Sequence, residues 1–150
     1  YTISLAALTE EVFCDLDPVA EKHQVRLIQT DGDCTVTGSY ILLYRAVYNL
    51  VENAIKYNRP SGSVTVSIHT AESAVLEVTD TGIGISPENQ EKIFDPFYRV
   101  DKSRSRAMGG AGLGLALVSE IARQHNGQVK VTQSSEKGST IALMLPVTLL

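Results

Sequence analysis

The chain is poor in cysteine. It has two, Cys14 and Cys34, and they form neither a C-x-x-C pair nor a zinc-ligand spacing. They read as free thiols in a reducing compartment, with a single disulfide as the alternative. Positive charge is not in excess: 13 Lys and Arg stand against 17 Asp and Glu, a formal net charge of −4. With no basic stripe, nucleic-acid binding is not expected. No apolar run is long enough to span a bilayer, since the longest late one, 141–150, is short and contains Pro146. No basic stretch precedes an apolar run at the start, so no signal peptide is read there. Repeats, low-complexity segments and internal linkers are lacking too. What is there is 150 residues, 43% of them hydrophobic, which suggests one domain with a sizeable core. The first residue is not Met, which suggests a piece of a longer protein whose remainder would carry any membrane anchor.

Periodicity sets out the elements. Residues 1–5 alternate as a short edge strand, and 6–23 read as a helix with Leu8, Val12, Leu16 and Val19 on one side. Pro18 predicts a kink or break in that helix. Short strands are expected at 25–29 and 35–37, joined by a turn at Asp31-Gly32-Asp33. Ser39 is a candidate N-cap for a long helix reaching about Tyr57, ended by 58–62. Strands at 63–70 and 74–79 form a hairpin, followed by a short helix at 87–93 that Ser86 would cap. A polar, basic segment at 99–111 has no periodicity and reads as a mobile loop. A helix at 112–125 ends at Asn126-Gly127 in the left-handed cap position. A last hairpin joins 128–134 to 139–145 through Glu136-Lys137-Gly138. Mixed elements with hairpins imply a two-layer α/β (α+β) sandwich, helices on one face of a mixed, largely antiparallel sheet.

The long helix carries two faces. Leu43, Val47, Leu50 and Ala54 recur at i, i+4, i+7 and i+11 and make the core stripe. Asn49, Asn53 and Lys56 stack on a second face roughly 120° away. Asn is a poor helix-interior residue, so two of them one turn apart call for a reason. Amide oxygens are hard neutral ligands for Mg²⁺, and a lysine is a point charge for phosphate. A merely solvated face is the plain alternative.

Two glycine-rich turns follow. Asp80-Thr81-Gly82-Ile83-Gly84-Ile85 comes directly after an apolar strand. A carboxylate there, beside glycines that admit a flat ligand, would accept from the exocyclic amine of adenine and reject guanine, which presents a carbonyl. An Asp-Gly turn capped by its own aspartate is the alternative. Gly110-Ala111-Gly112-Leu113-Gly114-Leu115 opens the last helix and offers backbone N–H groups and a positive dipole end to phosphate. Leu115 excludes both a P-loop and the dinucleotide fingerprint. Phe94 and Phe97 would pin the base of the loop, and Arg99, Lys102, Arg104 and Arg106 give it positive charge. Val100 to Ala107 has few apolar residues, so ordering it would need a ligand such as a triphosphate. His23, His69 and His125 lack a neighbouring carboxylate in a catalytic arrangement, and none is assigned a chemical role.

In order and spacing, the asparagine helix, the D-x-G-x-G turn, the F-x-x-F pair, the basic loop and the G-x-G-x-G helix resemble the N, G1, F and G2 boxes of bacterial sensor histidine kinases. Gly138-Ser139-Thr140 is similar to a final glycine box. The resemblance runs from about Leu5 to Pro146 and implies a Bergerat-fold catalytic and ATP-binding domain of a two-component sensor kinase. It further implies that Asn53 binds Mg²⁺ with Asn49 assisting, that Lys56 contacts phosphate, and that Tyr57 lies against the nucleotide. Asp80 would take the adenine amine, with Gly82, Gly84 and Ile85 shaping the pocket. Gly110, Gly112, Leu113 and Gly114 would wrap the phosphates, Arg99 would reach the γ-phosphate, and Thr140 would complete the nucleotide contacts.

On this resemblance residues 1–150 are one catalytic domain, monomeric alone, from the cytoplasmic side of a membrane-anchored sensor. The histidine that receives phosphate would sit on a separate dimerisation domain of the same protein, and a response regulator would be the indirect partner. Little or no turnover is expected without that domain. A Bergerat-type ATPase switch and an anti-sigma-type serine kinase stay open. Such ATPases carry a glutamate where this chain has Asn49, and an amide cannot accept the proton of water. Glu52 points about 60° away from that position.

Overall fold

The structure, a computed structural model, describes residues 1–82, 84, 90, 92–94 and 113–148. In chain order the elements are β1 (Thr2–Ser4), α1 (Leu5–Lys22), β2 (Arg26–Gln29), β3 (Thr35–Thr37), α2 (Tyr40–Lys56), β4 (Ser63–Thr70) and β5 (Ala74–Asp80). A 3₁₀ turn at Lys92–Phe94 follows, then α3 (Leu113–Gln124), β6 (Gln128–Ser135) and β7 (Gly138–Leu145).

α1 begins at Ser4, whose hydroxyl accepts the Ala7 N–H at 3.2 Å. Leu5, Leu8, Val12, Leu16 and Ala20 are its buried side. The break expected at Pro18 does not occur, and one helix runs through it. Pro18 and Cys14, whose carbonyl loses its partner, are both exposed, so that oxygen is on the solvent side while Leu16 and Ala20 hold the next turn in the core. The turn between β2 and β3 does not pair them. β2 lies parallel to β4, and β3 pairs antiparallel with β1 in a separate two-stranded sheet. Asp33 is the cause: its carboxylate accepts from Ser4 Oγ (2.8 Å), Ala6 N–H (2.9 Å) and Cys34 N–H (2.8 Å), which draws the turn onto the N-terminus of α1.

Ser39 caps α2 as expected, its Oγ accepting the Leu42 N–H at 3.3 Å. Leu43, Ala46, Val47, Leu50, Val51, Ala54 and Ile55 are buried. α2 lies in the middle of the helical layer and touches both α1 and α3. Beneath it the main sheet has the order β2-β4-β5-β7-β6, antiparallel throughout except for β2–β4. Val64, Val66 and Ile68 of β4, Leu76 and Val78 of β5, and Ile141, Leu143 and Leu145 of β7 alternate toward the helices. Strand alternation continues to Asp80 on β5 and Ser139 on β7, which are register partners. This is the two-layer, mixed and largely antiparallel sandwich that the pattern of elements implies.

α3 ends with Asn126, not Gly127, in the left-handed conformation (φ 61°). Gly127 is needed for space, since a Cβ there would run into the Met144 carbonyl. The start expected at Gly112 lies outside the described residues, as does the Ser86 cap. Of the short helix expected at 87–93, the 3₁₀ turn at its end is described, with Ile93 buried and Phe94 packed on the core. Cys14 is exposed and Cys34 buried, and both are free thiols. No helix among the described residues is long and apolar enough to cross a membrane.

Candidate functional site

His125 fixes how the last two helices lie. At the end of α3 its Nε2 accepts the Ser39 N–H at 3.1 Å, at the start of α2, while Nδ1 faces the Ile121 carbonyl at 2.8 Å. The two helices therefore run antiparallel. The first turn of α3, with Leu113 and Gly114, lies toward the end of α2 that carries Asn53, Lys56 and Tyr57. His125 itself is at the opposite pole and has a structural part. His23 follows the end of α1, and His69 Nδ1 lies 3.4 Å from Glu77 Oε1 on the strands.

Asn49, Asn53 and Lys56 are half-buried on one flank of α2. Asn53 Nδ2 donates to the Asn49 carbonyl at 2.8 Å. That bond sets the orientation of the amide and leaves Oδ1 as the outward acceptor, the atom a hard cation needs. Lys56 Nζ is 3.8 Å from Glu52 Oε1, one helical turn back. Such a partly exposed i,i+4 pair is worth about 0.3–0.5 kcal/mol, little enough for a phosphate to draw the ammonium away.

Asp80 closes β5 and is held by three donors. Oδ1 accepts from the Gly82 N–H (2.9 Å) and the Ser139 N–H (3.3 Å), and Oδ2 accepts from Ser139 Oγ (3.0 Å). Burial pushes its carboxyl above the ordinary aspartate value, and the bonds from Gly82 and Ser139 oppose that rise without cancelling it. The glycines bring separate segments together here. Gly82 is buried, and a Cβ on it would strike the Tyr57 carbonyl. Gly84 has φ 77°, and its missing Cβ leaves room for the Ser135 carbonyl. The Asp80 turn is thus packed between the end of α2 and the β6–β7 hairpin. Beside Asp80 opens a cavity of about 610 Å³, lined also by Gln90, Ser134, Lys137 and Ser139.

Two groups at this end were not picked out from the sequence. Ser139 supplies two of the three donors to Asp80. Thr140, singled out instead, also lines this cavity, and its hydroxyl pairs with Thr79 Oγ1 at 2.9 Å. The signal was the strand alternation: once Asp80 faces the helices, its register partner does too. Asn58 is the second. Its Nδ2 donates to the Ser63 carbonyl (2.8 Å), and its Oδ1 accepts from Thr81 Oγ1 (2.9 Å) and the Arg59 N–H (2.8 Å). It ties the residue after Asp80 to the end of α2. Ile85, Arg99, Gly110 and Gly112, with the loop at 99–111 and Phe97, lie outside the described residues.

A half-buried carboxylate, an oriented amide face and a helix N-terminus meet at one pole of the sandwich, and the sandwich itself has known counterparts. Residues 38–149 match the family of histidine kinase-, DNA gyrase B-, and HSP90-like ATPases. The chain belongs to this family. The sensor-like histidine kinase SenX3 of Mycobacterium tuberculosis is 46% identical over 123 residues, which covers 79% of this chain and 30% of SenX3. The sensor histidine kinase RppB of Synechocystis is 43% identical over 141 residues, covering 93% of this chain and 31% of RppB. The chain therefore spans under a third of the length of these relatives. Among solved structures, the mycobacterial sensor histidine kinase MprB superposes with a TM-score of 0.87 at 27% identity, over the whole of both chains. In this member of the family, the end of α2, the Asp80 turn, the start of α3 and the β6–β7 hairpin come together at one pole.

Proposed function

We propose that this chain is the ATP-binding catalytic part of a protein histidine kinase, which binds Mg-ATP and passes the γ-phosphate to a histidine on a separate dimerisation domain. The observation that carries this reading is the placement at one pole of an outward amide oxygen on Asn53 and a donor-held Asp80. Asp80 accepts the exocyclic amine of adenine. The bonds from Gly82 and Ser139 fix the direction of its lone pairs before the base arrives, so little reorganisation is needed. Gly82 and Gly84 keep the wall flat. Lys56 leaves Glu52 for a phosphate oxygen. Leu113 and Gly114 give backbone N–H groups at the start of α3, with Gly110, Gly112 and Arg99 proposed to complete the phosphate contacts and Ile85 the base pocket.

Asn53 and Asn49 fit a Mg²⁺ ion through amide oxygens, and such an ion when bound would neutralise phosphate charge during transfer. Asn49 accepts no proton, and Glu52 points about 60° away from it around α2. At position 49 the chain thus has an amide rather than a base for water, which supports transfer to a histidine over hydrolysis. A response regulator would be the later acceptor.

The test is transfer of labelled γ-phosphate to a supplied histidine-bearing dimerisation domain. The wild type should label it, and Asn53→Ala should abolish labelling while the far-UV circular dichroism and melting curve are kept. Undiminished labelling by Asn53→Ala at ordinary Mg²⁺ would leave the asparagine face a solvated one.

A further inference from the structure

The two halves of the pole stand on different layers. Asn53 and Lys56 are on α2, and Asp80 ends β5 in the sheet beneath it. Asn58 and Thr81 join the layers. Asn58 belongs to the close of α2: its N–H donates to the Ile55 carbonyl at 3.2 Å, and the Tyr57 N–H beside it to the Asn53 carbonyl at 3.1 Å. Thr81 stands between Asp80 and Gly82, the residue whose N–H the Asp80 carboxylate accepts.

The bonds between them can run in one direction only. The Ser63 N–H donates to Thr81 Oγ1 at 2.9 Å, so the single hydroxyl proton of Thr81 goes to Asn58 Oδ1, 2.9 Å away. The amide therefore turns its NH₂ to the Ser63 carbonyl at 2.8 Å, and that carbonyl also accepts the Thr81 N–H at 3.3 Å. The Arg59 N–H adds a second bond to Asn58 Oδ1 at 2.8 Å, and the Arg59 guanidinium donates to the Glu136 carbonyl on the hairpin that carries Ser139. An aspartate at 58 would set an oxygen against the Ser63 carbonyl, and an alanine would reach neither partner. Space is closed around the pair as well. A Cβ on Gly62 would run into Asn58 Oδ1 and Thr81 Oγ1, although Gly62 has no positive φ that calls for glycine. An adenine nucleoside triphosphate touches both halves of the pole at once. Because its base and phosphates are joined, the second contact gains an effective concentration set by how well the spacing of the halves matches that of the ligand.

We propose that Asn58 and Thr81 are positioning residues, a clasp that fixes the separation of Asp80 from the Asn53–Lys56 face and so favours a ligand in which adenine and a phosphate chain are joined. This rests on the function proposed above, and neither residue is assigned a contact with the ligand. The probes are adenosine, Mg-tripolyphosphate and Mg-ATP, each titrated into the full chain by heteronuclear NMR. The wild type should bind Mg-ATP far more tightly than either part. Asn58→Ala and Thr81→Val should each weaken Mg-ATP about tenfold, and the double variant no further than the weaker single one, because both break the same clasp. Affinities for adenosine and for Mg-tripolyphosphate should be unchanged, a split that a merely structural role would not produce. Thr81→Ser, which keeps the hydroxyl, should bind Mg-ATP as the wild type does. Thr81 is exposed, so Thr81→Val reads the clasp even where Asn58→Ala disturbs folding. Full Mg-ATP affinity in folded Thr81→Val, or an equal loss for adenosine or Mg-tripolyphosphate alone, overturns the clasp and leaves the proposed function standing. A wild type that binds no Mg-ATP overturns both.

Discussion

Asp80 is costly to the fold in its charged state. Burial raises its carboxyl, so the folded chain holds that proton more tightly than the unfolded one. Its contribution to stability is therefore fully present below the unfolded value of about 3.9 and is lost as pH rises through the folded value. Asp80→Asn should remove this slope. The amide keeps every bond: its oxygen accepts from the Gly82 and Ser139 N–H groups, and its NH₂ donates to Ser139 Oγ. Urea unfolding across a pH series should show the variant gaining on the wild type as pH rises toward neutral; a gap independent of pH would contradict this. Ser139→Ala should instead cost stability at neutral pH, about 1.5–3 kcal/mol for a bond to a charged group, read in the same unfolding experiment. Asp80 was legible because a carboxylate, two glycines and a strand end stand together in the sequence. Ser139 was not, because choosing between it and Thr140 depends on which face of the sheet each meets, and that is set by pairing with a strand 59 residues away.

Whole elements were legible wherever one apolar face recurs over many residues, as in α2 with its Ser39 cap. Pro18 does not end the helix because the proline rule is local, while the helix is kept by Leu16 and Ala20 on its buried face. The cost should still be present in the fold. Pro18→Ala restores one helical bond at an exposed site and should stabilise the chain by about 1–3 kcal/mol in urea unfolding. No gain would mean that the lost bond had been replaced locally. Gly82 shows the reverse case, a small residue required by contact between elements. Gly82→Ala would press on the Tyr57 carbonyl at the end of α2, and should cost about 1–3 kcal/mol in melting and unfolding measurements. It should weaken ATP binding as well, since the same turn holds Asp80.

At the scale of the molecule, the layer arrangement could be read but the strand partners could not. β1 with β3 and β2 with β4 are joined across long separations, and the turn that seemed to link β2 to β3 is claimed by Asp33 for the start of α1. The pole proposed for nucleotide draws on segments near residues 53, 80, 113 and 139, which only the antiparallel packing of α2 and α3 and the β5–β7 register bring to one end. The central claim is that this end is built for adenine. Calorimetric titration with Mg-ATP and Mg-GTP, on the wild type and on Asp80→Asn, tests it most directly. The account predicts saturable ATP binding by the wild type, far weaker GTP binding, and loss of most ATP affinity in a variant that is folded and no less stable. Equal affinity for ATP and GTP, or full ATP affinity in Asp80→Asn, would contradict it.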